Sequence, residues 1–329
     1  MDGNRPQALP LPVGGRVWRW LLQWWKVNPL IGLAAWIRGR NTVILLPGLW
    51  MGVFFALPFL IVLKISLAEA QLAQPPYSAL LSWAEEGVLQ LRLNLANFAL
   101  LLSDSLYLSA YLNSLRIAGI ATVFTLLLGF PMAYAMARAP ARWRLLMLMA
   151  VILPFWTSFL IRVYAWIGLL KPSGLLSELL QGLGLLDGPL HILNTDVAVY
   201  IGIVYTYLPF MILPLYANLL RLDPSLLEAA ADLGCRPVAA FFLVTLPQAV
   251  PGIIAGSMLV FIPAVGEFVI PDLLGGPDSL MIGKLLWSEF FTNRDWPVAA
   301  AVAVSLLLML VLPILLFQRI QDRQAEARA

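Results

Sequence analysis

Along the chain, long uncharged runs alternate with short polar stretches. Six of the runs reach the about 20 helical residues needed to cross a hydrocarbon layer of roughly 30 Å. Their cores lie near residues 43–63, 117–137, 145–170, 197–220, 249–271 and 297–317. The first, VILLPGLWMGVFFALPFLIVL, carries no charge, whereas the third and fifth each hold one ionisable residue, Arg162 and Glu267. Helices are expected throughout, because a backbone in lipid must satisfy its polar groups within the segment. Pro154 and Pro263 are expected to bend the third and fifth spans. The pattern predicts an all-α polytopic membrane protein with six transmembrane helices.

The polar stretches divide the chain further. Between the first two spans lies a long connection, residues 66–110, with turn chemistry in QPPYS and enough apolar residues to pack on the bundle. No internal repeat stands out, and one membrane domain, residues 43–320, accounts for most of the chain, followed by a short tail, 321–329. Ahead of it, residues 1–42 lack the uninterrupted apolar core and cleavage site of a signal peptide. Their stretch RVWRWLLQWWKVNPLIGLAAWIRGR mixes Trp18, Trp20, Trp24, Trp25 and Trp36 with five basic residues. That composition predicts an amphipathic helix lying in the lipid interface, cations toward the headgroups.

Composition agrees with the pattern and narrows the function classes. The chain is 61% hydrophobic and 12% charged, with a mean hydropathy of +0.85, far from a soluble domain of 329 residues. The net charge of +3 is small and its basic residues sit in short clusters, which gives nucleic-acid binding no support. A single cysteine, Cys235, rules out an intrachain disulfide and a multi-cysteine metal site, and a single histidine, His191, rules out an HExxH zinc site. Basic residues also orient the bundle. If the N-terminus is cytoplasmic, 14 of the 21 Lys and Arg, from Arg5 to Arg328, fall inside and the opposite face is net acidic.

One polar stretch is unlike a simple connection. PSLLEAAADLGCRPVAAFFLVTLP, residues 224–247, lies in the coupling of the fourth span to the fifth, residues 221–248. Ser225 and Glu228 have capping-box spacing, with Asp223 and Pro224 just ahead, and Gly234 suits the left-handed residue that closes a helix. Pro237 fits the first turn of a second helix, and Pro247 marks the expected junction with the next span. Ala229, Ala230 and Ala231 leave the first helix slim on one side, so another protein can approach its backbone.

These residues resemble the EAA motif of permease subunits in bacterial ATP-binding cassette (ABC) importers. Glu228, Ala229 and Ala230 are followed by three residues, Gly234, nine residues and Val244-Thr245-Leu246-Pro247, with Val244 where the family usually has isoleucine. Three further stretches are similar to the permeases of polyamine importers, the putrescine subunit above all: LPFLIVLKISLAEA, ILPFWTSFLIRVYAWIGLLK and GSMLVFIPAVGEFVIPDLLGGPDSLMIGKLLWSEFFTNRDWPVA. The resemblance implies the type I (MetI-like) importer permease fold, with Glu228, Ala229, Ala230, Ala231 and Gly234 in a cytoplasmic coupling helix. It also implies the partners: a second permease subunit in a heterodimer, two copies of an ATPase that uses ATP and Mg, and a periplasmic polyamine-binding protein. The membrane implied is the bacterial inner membrane, and the chain itself would bind no cofactor and catalyse nothing. Its nearest approach to a phosphate loop, GGPDSLMIGKL, has the wrong spacing between Gly276 and Gly283 and no Ser or Thr after Lys284. A spermidine-preferring permease, an ion-gradient secondary carrier and a non-transporting scaffold are the other readings.

A path for a dicationic diamine needs carboxylates at its charged ends and aromatic faces along it. Glu267 and Asp272 are the acidic candidates, and Trp156, Tyr164, Trp166 and Trp287 the aromatic ones. Glu267 has a competing role, because Arg162 stands at a similar depth in the third span and could pair with it.

Overall fold

Where lipid replaces water, helices are held together by close packing rather than by exclusion of solvent, so small residues decide where backbones meet. The computed structural model describes residues 41–83 and 89–326. The expected interfacial segment, residues 1–42, lies almost wholly outside them. The chain divides at Val62 and Leu63 into two units. Among the described residues, six helices are long and apolar enough to span a membrane.

The first span is one continuous helix: α1 (Asn41–Met51), a π turn at Gly52–Ala56 and α2 (Leu57–Ser66). The π turn has a local cause. Pro58 has no N–H to give the i−4 carbonyl and its ring crowds that position, so the ladder widens just before it. The Leu57 N–H reaches Gly52 O instead.

Within the second unit, β1 (Leu81–Trp83) and β2 (Leu89–Leu91) form an antiparallel ribbon in the long connection, with Leu81 opposite Leu91 and Trp83 opposite Leu89. This ribbon and an isolated antiparallel bridge between Ala70 and Tyr77 are the β structure among the described residues. Helix α3 (Ala96–Ser103) leads into α4 (Ser105–Arg138), whose first turn is capped by Asp104 Oδ1 accepting the Leu106 N–H at 2.8 Å. The 34 residues of α4 extend about 51 Å, well beyond the hydrocarbon thickness. Hydropathy places the span at 117–137 because Ser105, Ser109, Asn113 and Arg116 dilute the preceding turns. Those turns are helical all the same, and Asn113 Nδ2 donates to Leu280 O at 3.0 Å while Ser114 Oγ accepts the Ile282 N–H at 2.7 Å.

The third span differs from the expected single helix over 145–170. It is broken into α5 (Ala141–Ile152), a 3-10 turn (Leu153–Trp156) and α6 (Phe159–Leu170), followed by α7 (Leu175–Gly182). Pro154 removes a donor, and Thr157 and Ser158 are extended rather than helical. Thr157 Oγ1 donates back to Pro154 O at 2.7 Å. Pro154 therefore breaks its span rather than bending it. Helix α8 (Asp196–Leu219) follows, then the short α9 (Ser225–Asp232) and α10 (Pro237–Ala240).

A second correction concerns Pro247. Instead of marking a junction it lies inside one continuous helix of 29 residues, in which α10 passes through a π turn at Phe241–Thr245 into α11 (Leu246–Val265). The Leu246 N–H bonds Phe241 O, so the helix absorbs Pro247 as the first span absorbs Pro58. The span ends at Gly266, short of the expected 271. Beyond it come α12 (Val269–Leu273), α13 (Ile282–Trp287) with a π turn at Ser288–Thr292, and α14 (Trp296–Glu326). Helix α14 runs past the expected 317 and takes in most of the segment read as a tail.

Helices α4, α8 and α11 pack pairwise and carry the core, with Ile117, Ala121, Ile203, Met211, Ile212, Leu215, Val260 and Ala264 fully buried. The α8–α11 approach depends on Gly252 and Gly256, spaced as in small-xxx-small packing. A Cβ on Gly256 would lie 2.8 Å from Met211 Sδ, 3.1 Å from its carbonyl oxygen and 3.3 Å from its Cα. A smaller cluster, built from Leu101, Tyr107, Ala110, Ile282, Leu285 and Val302, seats α13 between α4 and α14. Gly256→Val is expected to lower the melting temperature of the detergent-purified protein, at an overpacking cost of about 1–3 kcal/mol. Met211→Ala in the same chain should not restore it, because two of the three close atoms are backbone.

Candidate functional site

The two ends of α11 each carry a site candidate, and the loop end is the simpler. Asp223 Oδ1 accepts the Ser225 N–H at 2.9 Å, and the N–H groups of Leu227 and Glu228 go to Pro224 O. That bond holds the Asp223 carboxyl below its ordinary range. The expected Ser225–Glu228 capping box is not formed: the residue that caps α9 is Pro224, which offers no side-chain bond, and Asp223 takes the Ser225 N–H instead. Glu228 is thereby left exposed, with Ala229 and Ala231 beside it.

Gly234 closes α9 with φ of +78°. Its N–H reaches Ala231 O at 2.8 Å and the Cys235 N–H reaches Ala230 O at 2.9 Å, the paired bonds of a Schellman motif. Nothing lies within 4 Å of the place a Cβ would take, so the demand for glycine is conformational and not steric. Arg236 is extended and Pro237 occupies the first turn of α10, as its fixed φ favours. Leu226, Leu233, Val238, Phe242 and Leu243 are all exposed around this hinge, Leu233 by 89%. So many apolar side chains around two short helices make a surface fit for another protein.

At the other end, α11 stops at Gly266 and the chain must satisfy the amides that begin α12. Glu267 does this. Its Oε1 accepts the N–H groups of Phe268, Val269 and Ile270 at 3.2, 3.0 and 3.4 Å, and its Oε2 accepts the Tyr207 hydroxyl at 2.6 Å. Glu267 is only 8% exposed. A buried carboxylate so matched is stable without a cationic partner.

The Arg162–Glu267 ion pair is therefore not formed. The Arg162 guanidinium carbon lies 5.0 Å from the Phe155 ring centre and 5.9 Å from that of Phe159, and its Nε is buried without a hydrogen-bond partner. Arg162 also lines an apolar cavity of about 370 Å³ between α4, α5 and α8, beside Met136, Met147 and Pro154.

Two further links tie α12 to α13. Lys284 Nζ lies 3.2 Å from Asp272 Oδ1, and Trp287 stacks on Phe268 with ring centres 4.6 Å apart and planes 12° from parallel. Close approach makes this possible, since a Cβ on Gly283 would stand 2.7 Å from the Glu267 carbonyl oxygen and nearer still to that of Gly266. Asp272 and Trp287 thus gather where Glu267 turns the chain, both substantially exposed. The other aromatic candidates lie elsewhere on the surface. Trp156 is 82% exposed in the broken third span, Tyr164 is exposed on α6, and Trp166 packs edge-on against Tyr205 at 5.4 Å. Sequence reasoning missed Tyr207, Phe268 and Lys284. Of these only Lys284 carried a signal, as a lone cation close to Asp272 in an acidic outer stretch.

Glu267→Ala is expected to destabilise the protein severely, by about 1–3 kcal/mol for each buried donor left unmatched. Glu267→Gln keeps an acceptor oxygen for the three amides and should melt close to the parent. Melting curves in detergent for both variants and for Tyr207→Phe check this order.

The geometry agrees with what the chain is similar to. The family described as binding-protein-dependent transport system inner membrane component matches residues 126–325. The chain is 46% identical over 218 residues to the spermidine/putrescine transport system permease protein PotB of Haemophilus influenzae, covering 66% of this chain and 76% of that protein. To the protein of the same name from Escherichia coli K12 it is 39% identical over 270 residues, covering 82% and 93%. Its fold is similar to that of a chain in a bacterial alginate ABC transporter, with a TM-score of 0.64 at 16% identity over 94% of this chain and 98% of that one. A match over most of the spanning region, with the same helical fold, makes this chain a member of the binding-protein-dependent transport system inner membrane component family.

Proposed function

We propose that this chain is a permease subunit of an ATP-driven polyamine importer, carrying putrescine or spermidine inward across the bacterial inner membrane by alternating access. The observation that carries the reading is the surface at 224–243. A slim, alanine-faced helix, hinged on a left-handed glycine and ringed by exposed apolar side chains, occurs in a chain whose relatives are named as spermidine/putrescine permeases. On this reading the loop face and both termini are cytoplasmic, which fits the distribution of Lys and Arg. A partner ATPase holds ATP and Mg and docks on α9, a second permease supplies the other half of the path, and a periplasmic binding protein delivers the polyamine.

Electrostatics favour the acidic break after Gly266 as the cation's way in. A dication approaching Asp272 meets a half-exposed carboxylate already paired with the Lys284 ammonium, one turn from a stacked aromatic pair, whereas the cavity beside Arg162 presents a like charge with no ion-pair partner among the described residues. Glu267 serves here by shaping the turn that presents Asp272 and Trp287.

The test is ATP hydrolysis and uptake by the reconstituted complex with its binding protein loaded with putrescine, spermidine or neither. Polyamine-dependent stimulation is expected, and a complex that hydrolyses ATP at one rate whatever the binding protein carries would overturn the substrate assignment. Hinge variants check the coupling role. A β-branched residue at Gly234 must adopt a left-handed conformation costing about 1–2 kcal/mol. Gly234→Val should therefore lower uptake per ATP hydrolysed more than Gly234→Asn does, with membrane insertion unchanged in both.

A further inference from the structure

The Asp272–Lys284 pair has a chemical peculiarity that its geometry makes usable. Lysine presents a primary ammonium at the end of four methylenes, the same group that ends an aliphatic diamine. Its Nζ rests 3.2 Å from Asp272 Oδ1, with the pair partly open to solvent, Lys284 at 33% and Asp272 at 56%. One turn away on the same two elements, Phe268 and Trp287 stack face to face. A carboxylate bordered by aromatic faces is the environment that holds an alkylammonium, one element for charge and the other for its methylenes. The only ion-pair partner of Lys284 among the described residues is Asp272. An exposed pair of this kind adds little to folding stability.

We propose that Lys284 is a resident stand-in for the substrate's ammonium. It occupies Asp272 while the path is empty and yields the carboxylate to an incoming alkylamine, so that Asp272 is never presented bare. The exchange is one ammonium for another at the same oxygen, with no net change in charge on the carboxylate and no proton transferred. It makes Asp272 a contact for the cation and Lys284 a residue that sets how strongly a cation must bind to be admitted. Weak or monovalent competitors, which gain a single contact, displace Lys284 less readily than a diamine whose second ammonium finds another acceptor. This inference rests on the polyamine reading of the path.

Its test uses the assembled complex in proteoliposomes with loaded binding protein. Lys284→Ala vacates Asp272 and should lower the half-saturating concentration of loaded binding protein for uptake by about two- to fivefold, the range of an exposed charge contact. Added n-butylamine, which reproduces the missing side-chain tip, should return that concentration toward the parent value. Asp272→Asn should raise it, and Asp272→Asn with Lys284→Ala should match Asp272→Asn alone and ignore butylamine. Lys284→Arg, whose guanidinium fork can grip the Asp272 carboxylate through two donors, should be displaced less readily than the parent ammonium and raise that concentration; a melting temperature in detergent matched to the parent controls for folding in each variant. If the parent complex transports polyamines but Lys284→Ala neither shifts nor responds to butylamine, the stand-in role is wrong while the transport reading survives. If the parent complex shows no polyamine-dependent uptake, the transport reading itself has failed. A butylamine effect equal in size in the double variant would mean that the amine acts somewhere other than Asp272, and would also overturn the proposal.

Discussion

In hydrocarbon a backbone amide that loses its helical partner has no water to turn to, and the architecture of this chain follows from how each such loss is met. Four devices recur. Pro58 and Pro247 are absorbed by π turns that end two residues upstream, where the ladder shifts to the next carbonyl. Pro154 is not absorbed, and Thr157 closes the broken turn by giving both its hydroxyl and its N–H to Pro154 O. The left-handed turn at Gly234 closes α9, its own N–H and that of Cys235 each taking up one carbonyl. At Gly266 a side chain takes over, and Glu267 collects three amides and a phenol into one buried carboxylate. Interruptions that are satisfied within the helix leave it straight enough to span. Interruptions that need outside help become the two ends where the chain does something other than span.

Those ends differ in chemistry. The loop end is apolar and exposed, with its charges at the margins, as suits a protein partner. The opposite end is acidic, aromatic and braced by contacts between distant segments. Tyr207 reaches it from α8, Gly283 presses α13 against it, and Ser114 of α4 fixes the first amide of α13. A site assembled from four segments of one chain keeps its geometry through packing rather than through any single bond.

Much of this was legible in the sequence for a simple reason: hydropathy and the special backbone residues report local constraints. Six spans, the left-handed Gly234 and the N-terminal proline of α10 all follow from residues within a few positions of the feature. What escaped depends on partners far along the chain. The polar first third of α4 reads as loop until Leu280, Ile282 and Asp196 are seen to face it. Glu267 and Arg162 look like mutual partners because each is costly alone, yet one finds amides and the other aromatic rings. The supposed capping box failed on a finer point, since Asp223, two residues ahead, satisfies the Ser225 amide first. Proline read as a boundary at 247 misleads for the opposite reason: the π turn that cancels it has no strong signature in residue type.

That π turn has a mechanical meaning. Because it keeps α10 and α11 in one rod, the Schellman hinge at Gly234 and the carboxylate cluster at Glu267 are attached to opposite tips of a single stiff body about 44 Å long. A rod of that length tilted by about 5° about one tip carries the other through about 4 Å, by geometry alone. That displacement is comparable to a side chain's reach. Between the two tips, Gly256 meets Met211 and Gly252 meets Asn218, so the rod is held closest to α8 along its middle.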